Sequence, residues 1–214
     1  MHNLFSHEGF LYQILEKVAD FVILSLITFL CCLPVFTMGT ALVASHKVTQ
    51  DRMMGKEPPV IRTYFQAFAS NFKKSTLLWL ITLAVAAFLV GDFMIVHEYF
   101  EGSAATFSYG LLGVVSFLVL GTVAYALPMM ARYENTLKAY IRNGILLAVG
   151  NLPKTILMVL LYAIPILSIE ILISSLLFWV LFGVSGVIFL QTRLVRSIFQ
   201  KLEQPKQETE TAEI

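Results

Sequence analysis

Charge is what this sequence has least of. Lys, Arg, Asp and Glu make up 14% of its residues, against about 25% in an ordinary soluble domain. Cysteine is confined to one adjacent pair, Cys31 and Cys32. Neighbouring side chains on a helix point about 100° apart, so a bridge between the two would be strained, and they read as small, polarizable packing residues. Reactive constellations are missing too. The four histidines (His2, His7, His46 and His97) have no metal-ligand spacing with a carboxylate on one helix face. No phosphate-binding loop, no glycine-rich turn after a strand and no nucleophile motif occurs. Cys31 has no base near it in sequence to activate it. No catalytic, cofactor-binding or metal-binding residue is therefore expected, and no nucleic-acid partner.

What the chain has instead is length without charge. It is 57% hydrophobic with a mean hydropathy of +0.77, and it carries 17 Phe, 8 Tyr and 2 Trp. The first run, Phe21 to Ala44, is 24 residues with no charged side chain, set between Asp20 and His46–Lys47, groups that seek water. As one helix it would reach roughly 36 Å, enough for a hydrocarbon core of about 30 Å. The preceding segment lacks a basic n-region and no small-residue cleavage site follows, so this run is expected to be an uncleaved anchor. Residues 1–20 are amphipathic, with Leu4, Phe5, Phe10, Leu11, Ile14, Leu15 and Val18 near one stripe.

Four more runs follow. Residues 75–96 hold one acid, Asp92, and residues 107–131 hold no charge. A span starting near Leu152 lets Lys154 snorkel, lets Asn151 cap and puts Pro153 in the first turn; it is expected to kink at Pro165 and turn at Glu170. Residues 171–192 form the last run, and the polar tail 203–214 is expected to be disordered. Lys and Arg alternate across the flanking segments: one in 1–20, six in 45–74, none in 97–106, four in 131–154, none in 168–170 and four in 193–214. By the positive-inside rule this orients the N-terminus out and the C-terminus in.

Two places in this frame are candidates for function. Pro34 inside the first run frees a backbone carbonyl that the Thr37 hydroxyl can resatisfy; with Gly39, this makes Cys31 to Gly39 a kink that a cavity or partner helix could use. In the first loop, Ile61, Tyr64, Phe65, Phe68 and Phe72 share one helix face, edged by Arg62 and Lys73, as in an interfacial helix or a docking helix. Residues 65–78 echo residues 145–158 at an offset of 80, with Asn71 over Asn151. Asp92, Glu98, Glu101 and Glu170 with Tyr99, Phe100, Phe107 and Tyr109 form an acidic, aromatic rim on the outer side.

Leu33-Pro34-Val35-Phe36-Thr37-Met38-Gly39, followed by Phe65-x-x-Phe68-x-x-Asn71-Phe72-Lys73, resembles the YesL-like family of bacterial membrane proteins. The resemblance covers nearly the whole chain. It brings no catalytic residues, and it implies an accessory role near bacterial carbohydrate uptake and utilisation.

The expectation is an all-α polytopic membrane protein with an N-terminal amphipathic helix and five transmembrane helices, at about 21–44, 75–96, 107–131, 152–169 and 171–192. These form one domain over residues 1–202, N-out and C-in, in a bacterial plasma membrane. Its function is expected to be non-enzymatic: an accessory or regulatory partner of a carbohydrate transporter, with the bilayer and a transporter subunit as partners. The alternative is a small-solute transporter with a path near Pro34 and Asp92.

Overall fold

The computed structural model of the chain describes residues 10–167 and 179–212. Among these residues every regular element is helical: α1 Phe10–Cys32, a 3₁₀ turn at Val35–Thr37, α2 Met38–Met53, α3 Val60–Tyr99, α4 Gly102–Met130, α5 Leu137–Gly150, α6 Leu152–Leu167, a π-helical turn at Trp179–Gly183, and α7 Val184–Ala212. The all-α class stands.

The first apolar run is not one span. Pro34 has no N–H to donate and ends α1 just after Cys32; after the 3₁₀ turn the chain starts back as α2. The Arg52 Nη2 atom on α2 donates to the Asp20 Oδ2 atom on α1 at 2.6 Å, so both ends of residues 20–52 lie together. Leu24, Ala44 and Val48 share one core cluster, as two antiparallel helices require. Residues 21–44 therefore make a hairpin. Residues 10–20 of the amphipathic segment are the start of α1, which runs through Asp20 without a break, and residues 1–9 lie outside the described residues.

α3 has 40 residues, about 60 Å of helix, twice a hydrocarbon core. Its first third packs on the hairpin. From Trp79 to Ile95 no residue is buried, and the same holds for Gly102 to Leu120 of α4. These two stretches form an apolar helical pair, turned at Gly102, whose φ of +61° suits glycine. The second half of α4 is the opposite case. Every residue from Gly121 to Ala131 is buried, and Leu78, Tyr140, Ala148, Met158, Val195 and Phe199 join them in the main core.

α5 and α6 meet at Asn151 with a bend of 109°. The Asn151 carbonyl accepts from the Lys154 and Thr155 backbone N–H groups, both at 3.0 Å, and so starts α6; its side chain instead donates to the Leu147 carbonyl at 3.2 Å and closes α5. Lys154 donates to Ser197 of α7 at 2.6 Å, a protein partner in place of the headgroups expected for it. α3, α4 and Val180–Lys201 are long and apolar enough to cross a membrane, with α5–α6 as a fourth crossing if the bent pair counts as one. Among the described residues the first of the five expected spans is therefore not one crossing, because it turns back at Pro34. The bend at Glu170 and the start of the last run, residues 168–178, lie outside the described residues. α7 extends to Ala212. Glu203 anchors it on Arg132.

Candidate functional site

The residues singled out around Pro34 assemble the reversal. Thr37 Oγ1 lies 2.6 Å from the Cys31 carbonyl and 2.8 Å from the Pro34 carbonyl, so one hydroxyl serves two carbonyls left over where α1 stops. Trp79 of α3 donates its indole N–H to the Val35 carbonyl at 2.8 Å. Gly39 faces the same tryptophan. A Cβ on Gly39 would stand 2.6 Å from the Trp79 Cβ and 3.0 Å from the Ser75 carbonyl, so glycine is what lets α2 close on α3. The next residue, Thr40, shares hydrogen bonds with Ser75 at 2.7 Å and Thr76 at 3.0 Å. Pro34, Thr37 and Gly39 thus act on one junction: stop, satisfy, approach.

The aromatic residues of the loop region lie on α3 itself. Tyr64 is fully buried against the hairpin and donates to the Ala41 carbonyl at 3.3 Å. Phe68 stacks on Tyr64, with ring centroids 6.3 Å apart, and is partly buried against the hairpin's core. Phe65 and Phe72 are exposed, as is Lys73. The face is therefore split, its inner edge docked on protein and its outer edge bare.

Asn71 donates to the Ala67 carbonyl at 3.0 Å, and its own carbonyl accepts from Ser75 at 2.7 Å. Eighty residues on, Asn151 donates to the Leu147 carbonyl and its carbonyl accepts from Thr155 at 3.0 Å. A similar close approach, at an offset of 82, occurs at Gly121-Thr122, where a Cβ on Gly121 would meet Thr155 Cγ2 at 2.8 Å. The echo is one of packing as well as of sequence. It is broken where Pro153 stands in place of Lys73, and there the second unit bends while α3 continues as one helix.

Sequence reasoning missed the polar contacts that hold α7. His46, expected to seek water, is buried, and its Nδ1 shares a 2.9 Å hydrogen bond with Thr192 Oγ1. Burial pushes the imidazole pKa down to about 3, so His46 is neutral. Gln50 donates to the Pro128 carbonyl in the last turn of α4 at 2.8 Å. Arg132 grips Glu203 with two hydrogen bonds, 3.0 and 2.7 Å, and the Tyr133 hydroxyl donates to the same carboxylate at 2.5 Å. The one sequence signal was an unusual density of polar residues, from Ser45 to Arg52, directly after an apolar run.

The acidic rim gathers at the α3–α4 turn, where Tyr109 meets His97 at 3.4 Å and Phe93 at a centroid distance of 5.2 Å. Glu170 lies outside the described residues. Asp92 and Pro34 are not brought together. Val35 is fixed at Trp79, and Asp92 is 13 residues further along α3, about 20 Å. Among the described residues no three His, Cys, Asp or Glu side chains converge as a metal site would need.

Residues 21–93 match the model of a family described as "Protein of unknown function, DUF624". Both motifs behind the YesL-like resemblance fall inside that segment, and the resemblance is borne out. The chain is also similar to "Uncharacterized protein YteU" of Bacillus subtilis (strain 168): 24% identical over 174 residues, covering 80% of this chain and 76% of that protein. No solved structure matches the chain.

Proposed function

We propose, with the match to the DUF624 family as premise, that this chain is a non-enzymatic integral membrane protein of the bacterial plasma membrane that serves as an accessory or regulatory partner of a carbohydrate-uptake system. The observation that carries the reading is the bare pair of helices. Trp79 to Ile95 and Gly102 to Leu120 bury no residue of their own, and the groove between them, about 610 Å³, is lined by Thr82, Ala86, Gly113 and Ser116 among larger apolar side chains. Small residues at that depth let a second helix approach closely, which is how helices associate in lipid. The carbohydrate assignment rests on the family resemblance. The alternative of a solute path near Pro34 and Asp92 has less support, because Trp79, which holds the neighbouring Val35, lies about 20 Å along α3 from Asp92.

The test is purification of the tagged chain from its native membrane in mild detergent. A sugar-transport subunit is expected to co-purify in fixed ratio, and Gly113→Leu is expected to release it. A Cβ on Gly113 meets nothing within 4 Å, so the variant should keep its own fold. Sugar uptake by the purified chain alone in proteoliposomes would overturn the accessory role.

A further inference from the structure

We propose that the α1–α2 hairpin is a re-entrant element: it dips tip-first into the leaflet on the side of the C-terminus and returns, so that both ends of the chain lie on that side of the membrane. Four observations meet here.

The first is the ion pair of Asp20 with Arg52 at 2.6 Å, which places the open end of the hairpin at one level. The second is the tip. Leu30, Leu33, Val35 and Phe36 are 60, 64, 58 and 52% exposed, a contiguous apolar surface of the kind water does not tolerate for long. It is seated on Trp79, where the bare, lipid-facing part of α3 begins. The apolar tip and the apolar span are therefore one surface, and the bilayer that covers the span covers the tip.

The third observation concerns the backbone. Non-helical chain at membrane depth is tolerated only where its polar groups are satisfied. At this turn they are: Thr37 serves the Cys31 and Pro34 carbonyls, Trp79 serves Val35, and the Thr37 N–H donates to the Pro34 carbonyl at 3.0 Å. A turn in water needs none of these side chains. Depth follows from length. Phe21 to Cys32 rises about 18 Å and Met38 to Ala44 about 10 Å, roughly half of a 30 Å core. Lys47, Asp51 and Arg52 keep the rest of α2 out.

The fourth is charge. If residues 21–44 crossed, Lys17 would be the one base on the outer side. With a re-entrant hairpin, and with α5 lying along the inner surface before α6 crosses, residues 1–74 carry seven Lys and Arg on the inner side, residues 131–154 four and residues 193–214 four, all 15 in the chain. The positive-inside bias then has no exception.

The experiment uses the full chain in intact cells, with Cys31 and Cys32 replaced by Ser and single cysteines introduced as Glu16→Cys, Glu57→Cys and Ser103→Cys. An impermeant thiol reagent added outside should label position 103 only, and positions 16 and 57 should react after permeabilisation. Labelling of 16 from outside with 57 protected would overturn the proposal. A second readout needs no cysteine removal: green fluorescent protein fused to the N-terminus of the otherwise unchanged chain matures and glows when it stays in the cytoplasm, and a dark fusion counts against it. For the tip, a fluorophore on Phe36→Cys in reconstituted vesicles should be quenched by lipids brominated along their acyl chains. An unquenched label would mean that protein covers the tip, and the bilayer assignment would fail.

Discussion

Gly39 lies so close to Trp79 that a single added carbon would stand 2.6 Å from the tryptophan Cβ. Neither partner can give way easily, because the indole is held by the Val35 carbonyl and Gly39 sits at the start of α2. The contact sets how near the hairpin comes to α3.

Gly39→Ala is therefore expected to destabilise the protein by about 1–3 kcal/mol, the usual cost of overpacking. Gly121→Ala should do likewise through Thr155, while Gly110→Ala, which meets nothing within 4 Å, should be close to neutral. Thermal unfolding in one detergent, with the three variants side by side, checks the order. Equal melting temperatures for Gly39→Ala and Gly110→Ala would contradict it.

Thr37 is expected to matter through its hydroxyl alone. Thr37→Val keeps the shape and leaves the Cys31 and Pro34 carbonyls without that donor, a loss of about 1–3 kcal/mol. Thr37→Ser should recover most of it. If the valine variant melts with the parent, the hydroxyl does not hold the turn.

His46 makes stability depend on acid. Its folded pKa, about 3, lies below the 6.5 of an ordinary imidazole, so as pH falls the unfolded chain binds the proton first. The contribution is intact above 6.5 and is lost as pH falls toward 3, at up to about 1.4 kcal/mol per pH unit. Replacing the group with one that does not titrate, His46→Gln, should flatten the stability profile in that window. Chemical denaturation across the range measures it, and an unchanged slope would show that His46 is not the group responsible.

Much of this was legible from the residues. Long uncharged runs give helices for lipid, Pro34 and Thr37 form the break and its repair, and Asn151 with Pro153 marks the start of α6. The reversal was not legible, for a physical reason. A run of 24 apolar residues has the length of a crossing whether it crosses or folds back. What decides is the pairing of Asp20 with Arg52 and the fit of Gly39 on Trp79, contacts 32 and 40 residues apart that no local pattern encodes. His46 was hidden likewise. Its polarity marks a boundary locally, while Thr192, 146 residues away, buries and pairs it.

The central claim, that residues 21–44 turn back, is tested most directly by one distance. Nitroxide labels on Lys17→Cys and Lys56→Cys, in the chain with Cys31 and Cys32 replaced by Ser, sit on residues that line the same cleft at the open end of the hairpin. Pulsed electron–electron resonance in reconstituted vesicles should give a separation below about 25 Å, against about 45 Å or more if one unbroken helix carried residue 17 away from residue 47 at 1.5 Å per residue. The short distance is the predicted result, and a distribution centred at the long one would contradict the hairpin.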